Sequence, residues 1–162
     1  MKTQKSPRAS VGGANVQRLS RLCPQGRVSG IDYSEISVEK SRRVNKRAID
    51  AGRCEIRQAS VTDLPFPDAQ FDAVTAFETV YFWPELPRSF KEVRRVLKGG
   101  GTFLLCNECG GDRAGDEKWT EQISGMTIYR DAELQALPEQ TGFRNIEIRK
   151  NRRGWLCMTA KK

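Results

Sequence analysis

Asp32 ends the apolar run Val28-Ser29-Gly30-Ile31 and stands directly before a helical pattern. In an open parallel α/β sheet, ligands sit in the crevice beyond the carboxyl ends of the strands, and an acid at such a tip accepts hydrogen bonds from ribose hydroxyls. A plain turn carboxylate ahead of a helix is the alternative. Gly12-Gly13 precede a short amphipathic segment; glycines there let an anionic or zwitterionic ligand approach exposed N–H groups, although turn chemistry also explains a glycine pair. The stretch Glu78-Thr79-Val80-Tyr81-Phe82-Trp83-Pro84 follows a β-prone run and is the acceptor-side candidate. Its aromatics can wall an apolar or cationic ligand, or pack in a core. Glu78 or Tyr81 can orient a nucleophile or take its proton, a task for which the chain offers no histidine. Cys106-Asn107-Glu108-Cys109 is a lone C-x-x-C with no second pair, so no metal site is expected and the motif reads as a strand end and loop.

The elements that must position these residues follow from periodicity. Val16, Leu19 and Leu22 mark a helix from Ala14 to Cys23. Arg27 to Asp32 reads as a strand. Ser34 is the N-cap of a helix reaching Ala51, with Ile36, Val44, Ala48 and Ile49 inward and Gly52 as its stop. Cys54 to Gln58 and Phe71 to Phe77 read as strands, separated by a loop that contains Pro65 and Pro67. Leu86 to Leu97 carries a helical stripe closed by Lys98 and three glycines, and Thr102 to Cys106 is a strand. Asp131 to Gln140 has helix character, but Pro138 predicts a kink or early stop. Phe143 to Arg149 and Gly154 to Ala160 alternate as an antiparallel hairpin. The expectation is an α/β fold with a mixed sheet.

A chain of 162 residues, 38% hydrophobic and 30% charged, suits one soluble domain. No run approaches the roughly 18–20 apolar residues of a membrane span. Residues Met1 to Ser10 are basic and polar, unlike a secretory signal, and the expected location is the cytoplasm. Five cysteines, an odd number, do not form a disulfide framework. The net charge of +8 resides in residues 1–53, with 12 Lys and Arg against 4 Asp and Glu. Such a half can attract nucleic acid. The cations at Lys40, Arg42, Arg43, Lys46 and Arg47 nevertheless fall at the spacing of a solvated helix face.

Three motifs in order carry a resemblance: Gly30-Ile31-Asp32-Tyr33-Ser34; Leu64-Pro65-Phe66-Pro67-Asp68 with Phe71-Asp72; and Glu92-Val93-Arg94-Arg95-Val96-Leu97-Lys98 with Gly100-Gly101. From about Gly12 onward the chain resembles class I S-adenosylmethionine-dependent methyltransferases, in the type 11 branch that includes ubiquinone and menaquinone methylases. The resemblance implies a Rossmann-like, mostly parallel sheet with a carboxyl-terminal antiparallel hairpin, S-adenosylmethionine as cofactor, and a small-molecule methyl acceptor. It implies that Asp32 binds both ribose hydroxyls and that Gly12, Gly13 and Tyr33 belong to the cofactor site. Ser60 and Val61 fall where the family contacts adenine, Val61 through its backbone N–H, and Phe77 lines the cofactor through its main chain. Tyr81 and Trp83 fall on the acceptor side.

The family's first strand ends in an acid and a glycine-rich turn, of which only Gly12 and Gly13 remain. Pro7, Ala9 and Val11 occupy the other positions, and Met1 to Lys5 stand where a buried strand belongs. A basic, polar decapeptide does not fill the middle of a hydrophobic sheet. The expectation is therefore a basic disordered segment over 1–11 and a methyltransferase domain over 12–162 that lacks its first central strand. Weakened cofactor affinity and exposed strand edges follow from that. Two other readings accompany it: a non-catalytic or truncated remnant of the fold, and a basic nucleic-acid-binding module.

Overall fold

The computed structural model describes residues 13–111 and 115–162. The expectations for residues 1–11 and for Gly12 lie outside the described residues. The chain divides into two compact units that part between Ser60 and Val61.

The first unit contains α1 (Ala14–Leu22), β1 (Val28–Asp32), α2 (Glu35–Asp50) and β2 (Cys54–Gln58). β1 and β2 pair in parallel from Val28↔Cys54 to Asp32↔Gln58. Ser34 caps α2, its hydroxyl accepting the Ser37 N–H at 3.4 Å, as its residue type and position anticipate. The inward face of α2 differs from the one expected. Val38, Ser41 and Asn45 are buried and Ala48 and Ile49 pack partly, whereas Ile36 is 80% exposed and Val44 40%. The reason is the approach of α1. Its N-cap Gly13 has φ 75°, and a Cβ there would lie 2.6 Å from Asn45 Nδ2 and 2.8 Å from the Ser41 Cα. Only small or hydrogen-bonding residues suit such a contact, and Asn45 Nδ2 donates to the Gly13 carbonyl at 3.0 Å. Val38, Cys54 and Ile56 form a small core with Val16, Ala48 and Ile49 around it.

The second unit contains β3 (Phe71–Phe77), a 3-10 turn (Val80–Phe82), α3 (Leu86–Val96), β4 (Leu97–Asn107), α4 (Glu117–Gln122), α5 (Asp131–Gln140), β5 (Arg144–Lys150) and β6 (Leu156–Lys161). Strand order is β3-β4-β6-β5. β3 and β4 are parallel, and β6 is antiparallel to both β4 and β5. β4 starts directly after α3, earlier than the strand expected from Thr102. Its register jumps from Phe71↔Leu97 to Ala73↔Thr102, so the glycines are looped out within the strand. Gly100 there has φ 76°. α5 continues through Pro138 to Gln140, contrary to the expected stop. Only one donor is lost, the ring is buried, and the Pro138 carbonyl accepts the N–H groups of Thr141 and Phe143 at 3.1 and 3.0 Å. The hairpin forms as expected, shifted by one or two residues.

Alternation along β4 buries Phe103, Leu105 and Asn107 on one face. Phe103 is completely buried, with Trp83, Phe90 and Phe143 rings all within 6.1 Å of it. Leu97, Leu134, Leu156 and Met158 complete this core. Among the described residues β1 pairs only with β2, and β3 pairs only with β4. Both units are of the α/β class, and the sheet of the second is mixed, with parallel strands and antiparallel carboxyl-terminal strands.

Candidate active site

In the first unit, the site is the tip of β1. The carboxylate of Asp32 is half-buried, and its Oδ1 accepts the Ser34 N–H at 2.9 Å, an Asx turn that fixes the side chain. Among the described residues no cation pairs with this carboxylate, in a unit rich in Lys and Arg. Its second oxygen is left to accept bonds from a polyol. The tip of β2 is tied to it: the Ala59 N–H donates to the Asp32 carbonyl at 3.0 Å, and Gln58 Nε2 donates to the Tyr33 carbonyl at 3.1 Å. These bonds draw the segment leading to Ser60 toward Asp32. Tyr33 is 73% exposed, so its ring is open to stacking. Gly30 supplies closeness, since a Cβ there would meet Ile56 Cδ1 at 2.8 Å and Val16 Cγ2 at 2.9 Å. Gly13 holds α1 on α2.

The first unit's cations are largely spent on local partners. Lys46 pairs with Asp50 at 2.9 Å and Arg43 with Glu39 at 3.8 Å, both one helical turn apart. Arg42 donates to the Ile56 carbonyl through Nε and Nη2. This is the solvated face anticipated from spacing.

In the second unit, the site is the tip of β3. Phe77 is the last β3 residue and lies opposite Cys106. Glu78 follows with φ 56°, a left-handed conformation that costs a non-glycine residue about 1–2 kcal/mol. Its N–H donates to the Cys106 carbonyl at 2.9 Å. Burial pushes the Glu78 carboxyl up to about 7, opposed by a hydrogen bond from the Glu108 backbone and one from Tyr81. Tyr81 is 3% exposed. Its hydroxyl donates to the Cys109 carbonyl at 3.2 Å and accepts the Cys109 N–H at 2.8 Å. Burial drives that phenol well above its ordinary range, so Tyr81 is a fixed hydrogen-bonding group rather than a proton carrier. Trp83 is half-buried and stacks on Phe103 at 6.1 Å, which places much of its ring in the core. Val61 is half-buried at the start of this unit.

Residues of the third motif have a different task. Arg95 donates to Glu92 Oε1 and Oε2, to the Phe66 and Leu64 carbonyls and to Asp68 Oδ1, all at 2.8–2.9 Å. Glu92 Oε2 also accepts the Leu64 N–H at 2.9 Å. Together they pin the Leu64–Asp68 loop to α3. Sequence reasoning missed the clamp of Tyr81 by Cys109, because it joins a side chain to a distant backbone group. Glu108 and Cys109 carried no signal beyond the C-x-x-C. Among the described residues no group of three or more His, Cys, Asp and Glu can hold a metal ion, and no helix is long and apolar enough to cross a membrane.

Comparison with known proteins accords with this geometry. The family profile described as methyltransferase domain matches residues 9–105. A demethylmenaquinone methyltransferase from Symbiobacterium thermophilum is 35% identical over 93 residues, 57% of this chain and 37% of the relative. The chain spans less than half the length of the curated relatives it matches. A chain in the complex between the Haloferax volcanii Trm112 methyltransferase activator and a methyltransferase superposes with TM-score 0.81 at 22% identity, covering 93% of this chain and 78% of that one. Geranyl diphosphate C-methyltransferase from Streptomyces coelicolor, crystallised with Mg2+, geranyl diphosphate and S-adenosyl-L-homocysteine, superposes with TM-score 0.77 at 17% identity, covering 93% and 69%. The family's cofactor is S-adenosylmethionine. With that profile matching more than half its length, the chain belongs to the methyltransferase domain family.

Proposed function

We propose that this chain binds S-adenosylmethionine and transfers its methyl group to a small-molecule acceptor, with residues 12–162 acting as one methyltransferase domain in the cytoplasm. The observation that carries the reading is Asp32, a half-buried carboxylate at a strand tip that is fixed by the Ser34 N–H and met by no cation among the described residues. A bound diol would meet the second carboxylate oxygen with its hydroxyl donors. Within the first unit, Tyr33 and Ser60 would flank the base and Gly13 would admit the charged end of the cofactor to the start of α1; Gly12, Val61 and Phe77 are carried as candidates by the family resemblance alone. The cofactor supplies an electrophilic methyl on a sulfonium, so the protein's main task is to align the acceptor.

On the acceptor side, Glu78 is held by backbone at the tip of β3 and titrates near 7. That value suits a group that accepts a proton from an acceptor hydroxyl, thiol or amine. The exposed part of Trp83 would contribute an apolar wall.

Titration calorimetry with S-adenosylhomocysteine tests the proposal. Binding by the wild-type chain, weakened roughly 10- to 100-fold in Asp32→Ala because charged hydrogen bonds are each worth about 1.5–3 kcal/mol, is the expected result. No heat and no thermal shift at millimolar ligand would instead identify a non-catalytic remnant of the fold.

A further inference from the structure

The C-x-x-C spacing draws attention to Cys106 and Cys109, but the fold gives Cys106 a different neighbour. Cys106 in β4 lies directly opposite Cys157 in β6 in the antiparallel register. Cys106 stands between Leu105 and Asn107, and Cys157 between Leu156 and Met158, all four of them buried. Strand alternation therefore turns both thiols to the face of the sheet away from the core. Directly opposed residues of antiparallel strands have Cα atoms about 4.5–5.5 Å apart. That lies inside the window of about 4.4–6.8 Å that a disulfide requires. Cys109, in contrast, lies beyond the end of β4, is buried, and has its backbone held by the Tyr81 hydroxyl.

We infer that Cys106 and Cys157 form a redox-active cross-strand dithiol, a site of reversible oxidation by low-molecular-weight disulfides of the glutathione class. The exposed Cys157 reacts first. Its thiolate attacks one sulfur of the small disulfide, a protein–small-molecule S–S bond forms, the original S–S bond breaks, and one small thiol leaves after taking a proton. Cys106 then loses its proton to solvent, attacks the Cys157 sulfur and expels the second small thiol. Two protein thiols supply two electrons, and one disulfide becomes two thiols. Burial and the neighbouring Cys157 push the Cys106 thiol up to about 12, which makes it the resolving rather than the attacking sulfur. The closed bond would join β4 to β6 next to the Cys106 carbonyl that receives the Glu78 N–H. This inference does not depend on methyl transfer.

The test is incubation of the folded full chain with oxidised glutathione, followed by alkylation and peptide mapping by mass spectrometry. The expected product is one Cys106–Cys157 linked peptide that reverts with dithiothreitol, while exposed Cys23 stops at the mixed disulfide. Cys106→Ser should trap Cys157 as a glutathione adduct. Cys157→Ser should leave Cys106 alkylatable. The same oxidation in denaturant should scramble the pairings, showing that the native link depends on the fold. A wild-type chain that stops at the Cys157 adduct, or that links Cys106 to Cys109, overturns the inference.

Discussion

Glu78 combines a left-handed backbone with a carboxyl whose proton affinity is raised by burial. An acid that holds its proton more tightly when folded contributes stability present at low pH and lost as pH rises between its ordinary value of 4.5 and about 7. Denaturant midpoints should therefore fall across that interval and level off above it. Glu78→Gln should remove the slope and gain roughly 1 kcal/mol at pH 8, after allowance for solvent screening. If Glu78 accepts the acceptor's proton, the same substitution lowers kcat while leaving S-adenosylhomocysteine binding intact. Asp32→Asn is the complementary variant. It keeps one oxygen for the Ser34 N–H, so its melting temperature should match the wild type, while calorimetry should show weaker ligand binding. Asp32, Tyr33 and Glu78 were all legible as candidates from residue type and position. The proton affinity of Glu78 was not, because it depends on burial and on the Glu108 backbone.

At the scale of elements, two contacts decide local geometry. Arg95 holds the Leu64 and Phe66 carbonyls with Glu92 and Asp68 beside it. Arg95→Ala removes the five hydrogen bonds that this guanidinium donates and should cost about 2–3 kcal/mol in urea denaturation. Gly13→Ala is expected to cost about 1–3 kcal/mol, since φ 75° and a 2.6 Å approach to Asn45 must both be accommodated. Most helix and strand positions followed from periodicity, β2 and β3 to the residue, but α4 and the early start of β4 did not. The inward face of α2 did not. Apolar spacing pointed to Ile36 and Val44, and the close approach of α1 selected Ser41 and Asn45 instead. Pro138 was read by its local cost, which burial and two bonds to its carbonyl offset.

At the scale of the molecule, the two units differ in how much they bury. Among its described residues the first has a two-stranded sheet and a small core of Val38, Cys54 and Ile56, and two-stranded sheets are marginal on their own. The second has four strands around Phe90, Phe103, Leu105 and Met158, each completely buried. Native-state hydrogen exchange should accordingly show the amides of β1 and β2 opening at lower free energy than those of β4 and β6. Equal protection in both sheets would contradict this. The residue order alone determined the α/β class, the motif order of the family and the acid at the β1 tip, because these rest on local periodicity, capping and turn chemistry. Tertiary structure decided which face of α2 is inward, the clamp on Tyr81, and the cross-strand opposition of Cys106 and Cys157. Each of these joins residues far apart in the chain through sheet register or close packing, and no local pattern encodes it.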